Sequence, residues 1–242
     1  VQITIIIPTY NEAENLTRLV STVFGLPLDD LKLLVVDDHS PDGTGEVAEQ
    51  LAREHPGRIK VLHRPGKLGY GTASISGFKQ ALADGAQAVC QMDADFSHPP
   101  EKIPELVKAL SECDVAIGSR YIPGGKLDER WPLWRKGMSN FGNLYARMIL
   151  GLSLHDVTGG FRLWRREALA SLPLDRIRAN GYMFQVEMAY IATCLGFKYI
   201  EVPIYFADRR FGKSKMSFRI QVEAALRTWQ IRGAYRDLRG RD

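Results

Sequence analysis

Five short apolar runs, ITIII (3–7), LKLLVV (31–36), IKVL (59–62), AQAVCQM (86–92) and DVAIG (114–118), alternate with segments of helical periodicity. One helix passes through Leu16, Leu19, Val20 and Val23, a second through Val47, Ala48 and Leu51, and others are predicted from Tyr70 to Ala83 and from Pro100 to Leu110. The runs are apolar on both faces, so each strand must be covered on both sides. A mostly parallel sheet flanked by helices, an α/β fold, meets that requirement.

At 242 residues this is one domain with appendages, and its 45% hydrophobic and 25% charged residues exclude wholesale disorder or a collagen-like repeat. Cys90, Cys113 and Cys194 show no CxxC spacing and are too few for a disulfide framework, which predicts a reducing compartment. The apolar runs are strand-length, so no membrane span is expected, and the start at Val1 has neither the basic nor the apolar region of a secretory signal. Net charge is +4, concentrated at one end: ten basic residues against four acids lie between Tyr205 and Asp242. A strongly basic tail of this kind suits an anionic partner.

In parallel sheets the chemistry gathers at the carboxyl ends of the strands. Those ends carry PTYNE (8–12), DDHSPDGT (37–44), HRPGKLGYG (63–71), DADFSHPP (93–100) and GSRY (118–121). No GxGxxG follows the first strand and there is no Walker A loop, which counts against a dinucleotide fold and a P-loop NTPase. Tyr10 and Glu12 suit a nucleobase clamp; Asn11 and Glu12 equally suit a helix start. Asp37 and Asp38 stand where an acid commonly meets a ribose or base, while SPDG is a turn that one of them would cap. Asp93 and Asp95, one residue apart at a strand end, offer hard oxygen ligands to Mg²⁺ or Mn²⁺ with positions left for substrate phosphates. His98 is kept out of the site because Pro99 and Pro100 signal a turn and helix start. The glycines of 66–77 serve either a phosphate or tight packing.

In this order the strings resemble the family 2 glycosyltransferases, and with TGGFR, NGYMFQVE and VPIYFADRRFGKSK they resemble the dolichyl- and polyprenyl-phosphate mannosyltransferases within that family, from residue 3 to about 217. The resemblance implies a GT-A fold, a catalytic domain over 1–216 and a basic amphipathic segment over 217–242. It implies inverting transfer of mannose from GDP-mannose to dolichyl or polyprenyl phosphate. It assigns Pro8, Tyr10, Glu12, Val36 and Asp38 to the nucleotide, Asp93, Ala94 and Asp95 to the nucleotide sugar, and Asp95 with Asp93 to the metal. Arg120, Arg209 and Lys215 are implied to hold phosphates, and Arg135 and Ser139 to meet the acceptor phosphate together with Arg120 and Arg209. Some members carry Gln where this chain has Ser97, and Ser97 is left outside the metal set. Another donor such as UDP-glucose, or a silent nucleotide-sugar-binding module, are the alternatives.

A lipid acceptor implies peripheral association with the cytoplasmic face of a membrane, possible small membrane-anchoring subunits, and no nucleic acid. Residues 131–152 mix Trp131, Trp134, Phe141 and Tyr145 with Arg135, Lys136 and Arg147, the pattern of an interfacial helix or of a core-packed amphipathic one.

Overall fold

Side chains along the first two strands alternate between two buried layers. Strand β1 (Ile3–Thr9) and strand β2 (Leu31–Asp37) send Ile6, Leu34 and Val36 to one face and Ile5, Ile7, Leu33 and Val35 to the other. That period of two, with both sets buried, is what a sheet covered by helices demands. The computed structural model describes residues 1–208 and 218–239. Within them β3 (Ile59–His63), β4 (Ala88–Gln91), β5 (Val115–Ser119), β7 (Arg162–Arg165) and β8 (Tyr199–Pro203) complete a seven-stranded sheet of order β3-β2-β1-β4-β7-β5-β8. A two-stranded parallel pair, β6 (Lys126–Leu127) with β9 (Tyr205–Phe206), stands apart from it.

Helix α1 (Ala13–Phe24) buries Leu16, Leu19, Val20 and Val23 against one face, and α2 (Thr44–Glu54) adds Ala48 and Leu51. Helix α3 (Tyr70–Ala83) covers the other face. It lies close to the strands because Gly77 has no Cβ, which would come within 3.1 Å of Val36 and 3.3 Å of Ile6. The helix expected from Pro100 opens as a 3-10 turn, Pro100–Lys102, before α4 (Ile103–Ala109). Pro100 fits the start of such a turn because its missing N–H would have no helical partner there. Short α6 (Arg166–Ser171) follows β7. Helix α7 (Tyr182–Cys194) is buried from Met183 to Ala192 all round, the signature of a helix inside the core. The amphipathic segments form α5 (Leu133–Leu150) and α8 (Phe218–Ala234), which pack together through a Trp229 Nε1–H donation to Tyr145 Oη (3.0 Å) and an Arg232 donation to the Ile149 carbonyl (3.0 Å). Ile231, Tyr235 and Leu238 join the α7 side of the core.

The βα rhythm conceals β7. It is antiparallel to both neighbours, with Gln91 opposite Arg162 and Ile117 opposite Arg162. Its reversed direction brings the turn that precedes it, Asp156–Phe161, to the same edge at which the parallel strands end.

Candidate active site

The first two rim loops are stitched together. Asn11 N–H donates to Ser40 Oγ (3.1 Å), Glu12 N–H to Thr44 Oγ1 (2.9 Å) and Ala13 N–H to Asp42 Oδ2 (3.2 Å). Asp37 takes the capping task, accepting from the Ser40 amide (3.2 Å), whereas Asp38 pairs with Arg64 and accepts from the amides of Leu68 (3.1 Å) and Gly69 (3.2 Å). Asp38 thereby draws the glycine-containing loop up to the end of β2, beside Tyr10, whose ring lies 3.6 Å from Lys67 Nζ. Tyr10 and Glu12 are partly exposed, as is Pro8. Val36 is 0% exposed with its side chain in the core, so it offers a ligand only its backbone. Asn11 (φ 62°), His39 (φ 58°) and Phe96 (φ 61°) adopt left-handed backbone conformations, one in each of three rim loops. Such residues cost on the order of 1–3 kcal/mol each and persist where the surroundings over-determine them, commonly at ligand sites.

Asp93, Ala94 and Asp95 leave β4 at the centre of this edge. The Asp93 amide donates to His98 Nδ1 (3.0 Å), and the His98 ring stacks on Phe161 with centroids 5.3 Å apart. Burial lowers the His98 pKa, so the ring stays neutral and keeps Nδ1 as an acceptor. His98, set aside on sequence grounds, thus shapes the loop from beneath. Asp93 Oδ1 accepts from Tyr70 Oη (2.9 Å) and Asp95 Oδ1 from the Ser97 amide (3.0 Å). Burial, aided by the charge of Asp93, raises the Tyr70 pKa well above its ordinary value and keeps the phenol a donor. Ser97 Oγ is buried without a hydrogen-bond partner. Two carboxylates and an orphaned hydroxyl within five residues form an oxygen-only set that fits Mg²⁺ or Mn²⁺. Ser97 therefore joins the residues able to hold a metal.

Arg120 follows β5 and is gripped by Asp156. Nε donates to Oδ2 (2.7 Å), Nη2 to Oδ1 (2.7 Å), and Nη2 also to Thr158 Oγ1 (2.7 Å), while Nη1 makes no hydrogen bond to protein among the described residues. The guanidinium lies 5.0 Å from the Phe206 ring and 5.1 Å from that of Tyr121. Tyr121 Oη meets Ser139 Oγ on α5 at 2.7 Å. Arg135, one turn earlier, stacks over Trp131 (3.6 Å) and pairs with Asp208 (3.1 Å). The fold thus brings Arg120, Ser139 and Arg135 into one neighbourhood beyond the Asp93–Asp95 loop. Arg209 and Lys215 lie outside the described residues. Asp156, Tyr70, Gln91 and Arg64 carry no sequence signal for these contacts, since their partners are far along the chain.

Comparison with known proteins bears on the fold and the family. The profile of glycosyl transferase family 2 matches residues 4–172. The chain is 44% identical over 239 residues to polyprenol monophosphomannose synthase of Mycolicibacterium smegmatis, covering 98% of this chain and 89% of that one. It is 45% identical over 239 residues to undecaprenyl-phosphate mannosyltransferase of Micrococcus luteus, covering 98% and 97%. Dolichol-phosphate mannosyltransferase of Pyrococcus furiosus is 38% identical over 219 residues, or 89% of this chain and 59% of that protein. The crystal structure of glucosyl-3-phosphoglycerate synthase from Mycobacterium tuberculosis, in complex with Mn²⁺, UDP and glucosyl-3-phosphoglycerate, superposes with a TM-score of 0.65 at 19% identity, covering 95% of this chain and 78% of that one, a likeness of fold. The sheet, the order of the rim motifs and near full-length sequence identity converge: the fold is GT-A-like, and the chain belongs to glycosyl transferase family 2.

Proposed function

We propose that this chain transfers mannose from GDP-mannose to a dolichyl or polyprenyl phosphate with inversion, yielding polyprenyl-phosphate β-mannose and GDP. The observation that carries the reading is 44–45% identity, over 98% of the chain, to two proteins named for mannosyl transfer to lipid phosphates. Tyr10 supplies a ring for base stacking, and Glu12 and Asp38 supply acceptors for base and ribose donors. Asp93, Asp95 and Ser97 would hold a divalent ion, which neutralises the diphosphate as it leaves. Arg120 has Nη1 to offer a phosphate oxygen, and Asp156 fixes the plane of the guanidinium. Arg209 and Lys215 are assigned to phosphates by the family pattern.

A phosphate monoester has a second pKa of about 6, so the acceptor is mostly dianionic at neutral pH and needs no strong base. A neutral His98, committed through Nδ1 to a backbone amide, accords with that. The attacking oxygen must lie in line with the departing diphosphate, and Arg135 and Ser139 on α5 are proposed to hold the acceptor phosphate there.

No helix among the described residues is long and apolar enough to cross a membrane. Helix α5 exposes Leu133, Trp134, Phe141, Leu144 and Met148, and α8 exposes Leu226 and Trp229 beside it. This face is proposed to rest on the cytoplasmic surface of the membrane that carries the acceptor. The direct test is incubation of the full chain with radiolabelled GDP-mannose and a short polyprenyl phosphate. Label should enter the organic phase; label arriving from UDP-glucose instead would establish the other donor, and none from either would refute transfer.

A further inference from the structure

Several polar side chains buried beneath the rim have no part in the chemistry above, yet they end on Asp93. Gln91 and Ser74 are 0% exposed and Gln185 is 2% exposed, inside β4, α3 and α7. Ser74 Oγ donates its hydrogen to the Tyr70 carbonyl (2.9 Å), so towards Gln91 it can only accept. Gln91 must therefore present its amide nitrogen, which donates to Ser74 Oγ (2.7 Å) and to Tyr70 Oη (3.2 Å). Its amide oxygen accepts from Gln185 Nε2 (3.0 Å), and Arg162 Nη1 donates to the backbone carbonyl of Gln185 (2.9 Å), anchoring that turn of α7. Tyr70 oxygen thus receives a hydrogen bond, and its own hydrogen goes to Asp93 Oδ1 (2.9 Å). The direction of every bond in this buried chain follows from the one before it.

Gly160 explains why a glycine stands in the TGGFR string. A Cβ there would lie 2.8 Å from Tyr70 Oη and 3.2 Å from Gln185 Nε2, displacing the hydroxyl. The backbone of Gly160 has no positive φ, so packing space is what the glycine provides.

We infer that Tyr70 is a positioning residue: its hydroxyl, aimed by Gln91 and Gln185, fixes the Asp93 carboxylate so that Oδ2 faces a divalent ion. The inference rests on the proposal that such an ion binds at Asp93 and Asp95. Outer-sphere groups that orient a metal-binding carboxylate typically contribute 10–100-fold to metal affinity.

The test titrates Mn²⁺ into the full chain in the presence of GDP and reads free Mn²⁺ by electron paramagnetic resonance. Tyr70→Phe should bind Mn²⁺ about tenfold more weakly, while still melting cooperatively and with unchanged GDP binding in chelator. Gly160→Ala should weaken Mn²⁺ binding too, and the double variant should be little weaker than Tyr70→Phe, because the added methyl then has no hydroxyl to displace. Parental Mn²⁺ affinity in Tyr70→Phe, or in Gly160→Ala should Tyr70→Phe not fold, would overturn the inference, as would additive losses in the double variant. A parent chain that binds no Mn²⁺ removes the metal reading and this inference together. A parent that binds Mn²⁺, loses affinity on Tyr70→Phe and transfers no sugar upholds the inference and refutes the transfer reading alone.

Discussion

Asp156 is 0% exposed and lies 36 residues beyond Arg120, yet it receives three hydrogen bonds from that residue, two from the guanidinium and one from the amide. Burial by itself would raise its carboxyl pKa; the adjacent guanidinium outweighs burial and holds it below the ordinary value. Asp156→Asn leaves a buried cation without its counter-charge and is expected to cost about 3–5 kcal/mol in urea unfolding. The sign of the pH dependence follows. A carboxylate depressed on folding contributes fully above the unfolded pKa of about 3.9 and loses that contribution as pH falls below it through the folded pKa. The gap in stability between parent and variant should therefore narrow below about pH 4; a gap constant from pH 6 to pH 3 would contradict the assignment. GSRY is legible in the sequence as a cationic rim residue. Asp156 is not, because an ion pair across 36 residues leaves no periodic trace. Asp93 and Asp95 are legible by their spacing at a strand end, whereas Tyr70, 23 residues earlier at the start of α3, meets Asp93 only once α3 has packed against β4.

Helix α5 separates two tryptophans that the sequence pattern groups together. Trp131, just before the helix, is 8% exposed and packs edge-to-face on Phe206 (5.9 Å) beneath Arg135, whereas Trp134 is 64% exposed. Their substitution should have opposite signatures. Trp131→Ser removes a buried ring and should destabilise the protein by roughly 3–5 kcal/mol, measured by chemical denaturation. Trp134→Ser with Phe141→Ser should leave stability nearly unchanged while weakening sedimentation with anionic liposomes several-fold. Equal liposome binding by that pair and the parent would show that the exposed α5 face does not meet lipid. The helical period of 131–152 is legible, but the first turn is not: which ring points inward is decided by the β6–β9 pair, whose two-residue strands are too short to be foreseen.

At the scale of the whole molecule, the arrangement of the rim is the most legible feature, because parallel strands deliver all their carboxyl ends to one edge whatever the details of packing. The oxygen cluster at that edge predicts a measurable dependence. EDTA, or Asp95→Ala in a chain that still melts cooperatively, should lower transfer by on the order of 10²–10³-fold through lost stabilisation of the leaving diphosphate, and the thermal shift produced by GDP should grow when Mn²⁺ is added. Undiminished turnover in chelator would eliminate the metal.

The place of β7 has a consequence for how the protein is made. It lies between β4 and β5 and is hydrogen-bonded to both, yet it follows them in the chain by more than forty residues. A nascent chain that has emerged only as far as β6 therefore carries two unpaired strand edges facing an empty slot, and the sheet cannot close until Arg162–Arg165 leaves the ribosome. Until then those edges are templates for pairing with other chains. Synthesis speed across residues 120–165, more than the thermodynamics of the finished molecule, should thus govern how much of it folds without aggregating.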